Sequence, residues 1–177
     1  MEVRRFIQRF VVPAPLVSIY YYIKFRCKIS HRAEVEMSRF LKIGKGCQIS
    51  SFTKIKATVG PVTIGENVDI GPGCFISSHE KGIDIGNDCL IGPNVKIVAG
   101  NYQFDRLDIP IRKQGGSSKG IRIGNDVWIG AGACVLDGAD IGDGVVISAN
   151  SVVSMKISNY SVVIGNPGKV ILKRTNK

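Results

Sequence analysis

The chain of 177 residues contains two imidazoles, His31 and His79, and imidazole is the side chain best matched to moving a proton near neutral pH. Other reactive side chains gather in one polar stretch, Gly100-Asn101-Tyr102-Gln103-Phe104-Asp105, followed by Ile109-Pro110-Ile111-Arg112-Lys113-Gln114-Gly115-Gly116. Its one tyrosine, Tyr102, offers a phenol, a side-chain type that serves poorly as a base near neutral pH. Asp105, Arg106, Arg112 and Lys113 suit a hydroxylated or charged ligand, and suit plain solvation equally well. Two histidines cannot furnish a three-His zinc site, and none of the five cysteines forms a CxxC pair, so metal and dithiol chemistry are not expected.

The elements that must position these groups follow from an unusual period. From Ile123 an aliphatic residue returns at every sixth place, as Ile129, Val135, Ile141, Ile147 and Val153. The same frame runs earlier through Ile43, Ile49, Ile55, then Ile64, Ile70, Ile76, then Ile85, Ile91, Ile97. A helix needs spacings of three and four and an isolated strand needs two, whereas six is the unit of a parallel β-helix. Gly follows many of these aliphatics, as at Gly44, Gly65, Gly92 and Gly130, where a chain turning a tight corner requires it. Four places beyond the aliphatic the residue is small, as at Cys47, Thr53, Cys74, Cys89, Ala133, Ala139 and Ser151, so these cysteines are expected as reduced core packing. Three hexads make a coil of about eighteen residues, and coils are expected to begin near Ile43, Ile64, Ile85, Ile123 and Ile141.

The frame is lost after Ile97 and returns at Ile121, which predicts a loop over 98–120. An excursion of this length from a solenoid is usually functional. Adding 21 maps Ile64 onto Ile85 and Ile76 onto Ile97, and so stacks His79 on Gly100, two residues before Tyr102. His79 lies in Ser77-Ser78-His79-Glu80, which also suits a solvated corner.

Ile-Arg-Ile-Gly-Asn-Asp-Val-Trp-Ile-Gly-Ala-Gly-Ala at 121–133, Ser-Val-Val at 151–153 and Gly-Asn-Pro-Gly-Lys-Val-Ile at 165–171 resemble the hexapeptide-repeat acyltransferases. The likeness points to the maltose and galactoside O-acetyltransferase branch and its relatives in capsule, lipopolysaccharide and antibiotic modification. It covers residues 43–174. The resemblance implies an all-β fold, the left-handed parallel β-helix, assembled as a homotrimer. It implies acetyl-CoA or another acyl-CoA as donor, no metal, and a sugar of a cell-surface polysaccharide or its precursor as acceptor, small or lipid-linked. The donor would run past Trp128, Ala131 and Ala149, with its phosphates near Lys156, Lys169, Lys173 and Arg174. The family's Thr-Lys-Asp after Ser-Val-Val reads Ser154-Met155-Lys156 here, which displaces that cation by one.

The resemblance also makes 98–120 the active-site loop, with Asn101, Asp105, Arg106 and Gln114 as acceptor-binding residues. Its Asn-His-x-Phe-Asp sequence becomes Asn101-Tyr102-Gln103-Phe104-Asp105, so the general-base imidazole falls on Tyr102. Three readings stay open: His79 serves as the base; the acceptor is an amine that attacks a thioester unaided; or the β-helix binds without catalysing.

The net charge of +10 is concentrated at the ends. Residues 1–32 carry seven basic side chains against Glu2, and 165–177 carry Lys169, Lys173, Arg174 and Lys177 with no acid. That distribution is not a nucleic-acid footprint. Residues 10–23 are free of charge and too short to span a bilayer, which takes about 18–20 residues. No small-residue cleavage site follows them. Residues 1–32 are therefore expected as a cap on the open end of the solenoid or as a membrane-interface segment touching lipid through 1–28, and both roles are compatible. The β-helix domain is expected over 33–174, in the cytoplasm or at the inner face of the cytoplasmic membrane.

Overall fold

The computed structural model describes residues 13–57 and 59–175. Three sheets wrap around one core, and the chain visits them in turn. The first face stacks Lys28–Ile29, Gln48–Ile49, Asp69–Ile70, Leu90–Ile91, Trp128–Ile129, Val146–Ile147, Ser161–Ile164 and Lys169–Lys173. The second runs from Glu34–Val35 to Val152–Val153, and the third from Leu41–Ile43 to Lys156–Ile157. Neighbours within each face are parallel, except that Lys169–Lys173 folds back antiparallel on Ser161–Ile164.

The period of six becomes three buried columns. Ile49, Ile70, Ile91, Ile129 and Ile147 stack in register on the first face. Ile55, Ile76, Ile97, Val135 and Val153 do so on the second, and Ile43, Ile64, Ile85, Ile123, Ile141 and Ile157 on the third. All are buried, each worth about 1.5–3 kcal/mol over an exposed side chain. Between the columns the small interior residues tie one coil to the next. Cys47 Sγ donates to Gly65 O at 3.1 Å, Cys74 Sγ to Gly92 O at 3.1 Å, and Thr53 Oγ1 to Gly71 O at 2.7 Å. A Cβ on Gly92 would lie 2.9 Å from both Ala131 N and Ile129 O, so no larger residue fits that corner. Burial pushes the Cys47 thiol up to about 11 and raises those of Cys74 and Cys89.

Helix α1 (Ala14–Phe25) closes one end of the column. Val17 and Tyr21 are buried against the first strands, and Tyr21 stacks near Phe25 with ring centres 5.9 Å apart. The ladder begins at Lys28, inside the segment expected to be a separate cap, because Lys28 and Ile29 already pair with Gln48 and Ile49. Residues 1–12 of that expected segment lie outside the described residues.

Coil length varies at one corner only a little before the loop, then greatly. Ile43, Ile64 and Ile85 are in register at steps of 21 residues, and Ile123 and Ile141 at 18. The corner between the second and third faces absorbs the difference: residues 78–82 fill it in one coil, 99–120 in the next, and 137–139 in the one after.

Candidate active site at the loop corner

The register pairs Ser77 with Val98 and Val98 with Leu136, which brings those three corners onto one edge of the column. His79 packs on the root of the loop. A Cβ added to Gly100, whose φ is 121°, would lie 2.7 Å from His79 Cβ and 2.9 Å from its Cγ. Across the loop root, a Cβ on Gly116 would lie 3.5 Å from His79 Nε2 and 3.7 Å from Cε1. Gly116 is not among the residues with a left-handed φ; a Cβ there would also come within 3.2 Å of Asn101 O, so glycine lets the two loop arms close up beside Nε2. His79 Nδ1 is buried without a hydrogen-bond partner, which leaves Nε2 as the nitrogen turned toward the loop.

A buried acid outside the sequence-derived site closes the same corner. Asp137 is 7% exposed and accepts the backbone N–H of Lys119 at 3.0 and 2.9 Å and that of Gly120 at 2.9 Å. It also accepts Ser118 Oγ at 3.5 Å and Asn101 Nδ2 at 3.4 Å. One carboxylate thus holds both arms of the loop. Its signal in the sequence was its place directly after Leu136, the residue that stacks on Val98 across the loop.

Within the loop, Asn101–Tyr102 pairs antiparallel with Gly116–Ser117, Tyr102 opposite Gly116. Tyr102 stands 71% exposed, outside the packed corner. Gln114, expected at the acceptor, has its amide taken up by the loop: Oε1 accepts Arg106 N at 3.0 Å, while Nε2 donates to Arg106 O at 2.7 Å and Ile109 O at 3.0 Å. Arg106 makes a two-point contact with Asp108 at 3.0 and 2.5 Å, which holds the Asp108 carboxyl below its usual range. Asp105 is exposed.

The residues expected along the donor lie elsewhere. Trp128 is 54% exposed on the first face, in register between Leu90 and Val146. Ala131 and Ala149 are exposed at the corner that follows, tied by Asn150 N to Ala131 O at 2.9 Å. The four expected cations do not converge within one chain. Lys156 is on the third face, 3.8 Å from Asp140, which Arg122 approaches to 2.6 Å. Lys169 and Lys173 are exposed on the last strand. Arg174 is held by Gly144 O at 2.7 Å and Asp126 Oδ2 at 3.1 Å.

Residues 120–154 match the family described as bacterial transferase hexapeptide (six repeats), and residues 61–99 match the hexapeptide repeat of succinyl-transferase. The putative lipopolysaccharide biosynthesis O-acetyl transferase WbbJ of Escherichia coli is 32% identical over 158 residues, covering 85% of this chain and 78% of that protein. A probable acetyltransferase of Mycobacterium tuberculosis is 34% identical over 134 residues, covering 76% of this chain and 44% of its own length. The chain therefore spans less than half of that relative. Among solved structures, AntD, an N-acyltransferase from Bacillus cereus in complex with dTDP and 3-hydroxybutyryl-CoA, superposes with a TM-score of 0.77 at 23% identity, covering 89% of this chain and 87% of that one. The shared fold is the left-handed parallel β-helix.

Proposed function

This chain belongs to the hexapeptide-repeat acyltransferase family, and from that premise we propose that it transfers an acyl group, acetyl in the first instance, from acyl-CoA to a sugar hydroxyl of a cell-surface polysaccharide or its precursor. The observation that carries this reading is His79 at the root of the loop, with Nδ1 buried and Nε2 on the side of Gly116. A hydroxyl entering there gives its proton to Nε2 as its oxygen bonds to the acyl carbon. Collapse of the tetrahedral adduct then breaks the carbon–sulfur bond and returns the proton to the departing CoA sulfur. His79 thus supplies from the neighbouring coil the imidazole that position 102 lacks. Asp105, exposed on the loop, is the proposed contact for the acceptor, with Asn101 held at the loop root by Asp137, while Arg106 and Gln114 hold the shape of the loop.

The donor residues favour a shared site. Trp128, Ala131 and Ala149 lie on the first face and the corner after it, whereas His79 lies on the next corner. In a homotrimer a groove between neighbouring copies would bring both sets together, and their separation within one chain is what supports that assembly. Lys156, Lys169 and Lys173 then serve the CoA phosphates, with Arg174 bracing Asp126. Among the described residues no helix is long and apolar enough to cross a membrane. The proposed place of action is the cytoplasm, with peripheral contact at the inner face of the membrane.

Turnover of acetyl-CoA against a panel of hydroxyl and amino nucleotide sugars tests the reading. His79→Ala is expected to lower hydroxyl transfer by about 10²–10⁴-fold with CoA affinity unchanged, and Tyr102→His, at an exposed position outside the corner that already holds a base, to leave it nearly unchanged. Full hydroxyl transfer in His79→Ala would remove His79 as the base. Transfer to amines alone would assign the N-acyl route, and transfer to nothing a binding role. Activity in a sedimenting monomer would rule out the shared groove.

A further inference from the structure

Helix α1 is only half engaged in closing the column. Val17 and Tyr21 face inward, whereas Leu16, Ile19, Tyr20, Tyr22 and Ile23 stand from 40% to 77% exposed. Beside the helix lies an open groove of about 710 Å³, walled by Ile19, Tyr22 and Ile23, floored by Ile29 and Ile49, and edged by Lys28. Its surroundings are cationic. Lys24 Nζ donates to the Tyr20 hydroxyl at 3.1 Å, and the Arg32 guanidinium lies 5.9 Å from the ring of Phe52, itself 68% exposed. Arg26 and Lys28 are exposed as well, and residues 13–33 include no Asp or Glu.

We propose that this end of the column docks on an anionic lipid bilayer, with α1 lying in the interfacial plane and its cations over the headgroups. At 12 residues the helix is about 18 Å long, so it cannot span the hydrocarbon and must lie along it. Exposed Tyr suits the headgroup level of a bilayer, and the flanking Lys and Arg suit its anionic surface. A second copy of this chain is a poor occupant, because two identical cationic rims would face one another, whereas an anionic surface complements them. The docking rests on the peripheral membrane contact proposed above and gives it a surface, and it is independent of which acceptor or base the reaction uses.

Vesicle sedimentation with the full chain tests it, comparing phosphatidylcholine alone with an equal mixture of phosphatidylcholine and phosphatidylglycerol. Binding is expected to the mixed vesicles and to weaken with added salt. Ile19→Glu with Ile23→Glu, both at exposed positions, should reduce it on the order of tenfold or more. Lys24→Gln, Arg26→Gln and Lys28→Gln together should reduce it by about 10²-fold, since each cation near an anionic surface contributes roughly fivefold. This second variant keeps the test intact if the isoleucine variant melts early. No binding to mixed vesicles, equal binding to phosphatidylcholine alone, or binding indifferent to the cation variant would overturn the proposal. So would a smaller assembly in the isoleucine variant with vesicle binding unchanged, which would make a second copy the occupant.

Discussion

Replacing Asp137 by Ala should release the loop while leaving the column standing. The carboxylate accepts two backbone N–H groups, from Lys119 and Gly120, at 2.9–3.0 Å. Hydrogen bonds to a charged group contribute about 1.5–3 kcal/mol each, which sums to about 3–6 kcal/mol for the pair. Lys119 is exposed, so water partly replaces the lost acceptor, and a net loss of about 2–4 kcal/mol at the loop root is the working figure. Because residues 99–120 form an excursion from the ladder, the loss should appear as local opening. Hydrogen exchange at the Lys119 and Gly120 amides should accelerate by about 30- to 10³-fold, since 1.4 kcal/mol is tenfold. The Trp128 amide, bonded to Val145 O at 2.9 Å, should keep its protection. Asp137→Asn retains a neutral acceptor oxygen and should recover roughly half of the loss. Turnover should fall with CoA affinity unchanged, since the loop arm over His79 moves and the Trp128 face does not. Unaltered exchange at Lys119 and Gly120 in Asp137→Ala would refute the anchoring role.

Two further outcomes concern the ends and the interior. Lys169→Ala with Lys173→Ala should weaken CoA more than dephospho-CoA in a calorimetric titration, through lost charge-assisted contacts to the 3′-phosphate. Equal losses for the two ligands would place that phosphate elsewhere. Burial raises Cys47 from 9.0 to about 11 and Tyr21 from 10.0 to about 12. Folded values above the unfolded ones mean that this stability is complete below pH 9 and is lost as pH climbs toward 11 and 12. Denaturant midpoints should therefore fall from pH 9 upward, and Cys47→Ala should make the fall shallower; an unchanged slope would contradict the assignment.

The column was legible in the chain itself. A side chain repeated every sixth place must fall on the same side of each short strand, so Ile43, Ile49 and Ile55 were bound to point inward, and the return of that triplet after 21 residues put Ile49, Ile70 and Ile91 on one interior line. The same arithmetic placed Cys47, Cys74 and Cys89 inside and His79 over Gly100, because the two coils next before the loop advance by the same 21 residues. Both ends depended on tertiary structure. Residues 14–23 of the charge-free run form most of α1, whose Val17 and Tyr21 are buried against the first coil. Lys169–Lys173 turned antiparallel rather than adding another coil. The roles of Gln114, Arg174 and Asp137 were likewise decided only in three dimensions. A repeat encodes which residues point inward, since that is a local property of each strand. It does not encode which polar atoms meet across a corner once the loop interrupts the equal steps, and there the register between Val98 and Leu136 carried Asp137 to the loop root.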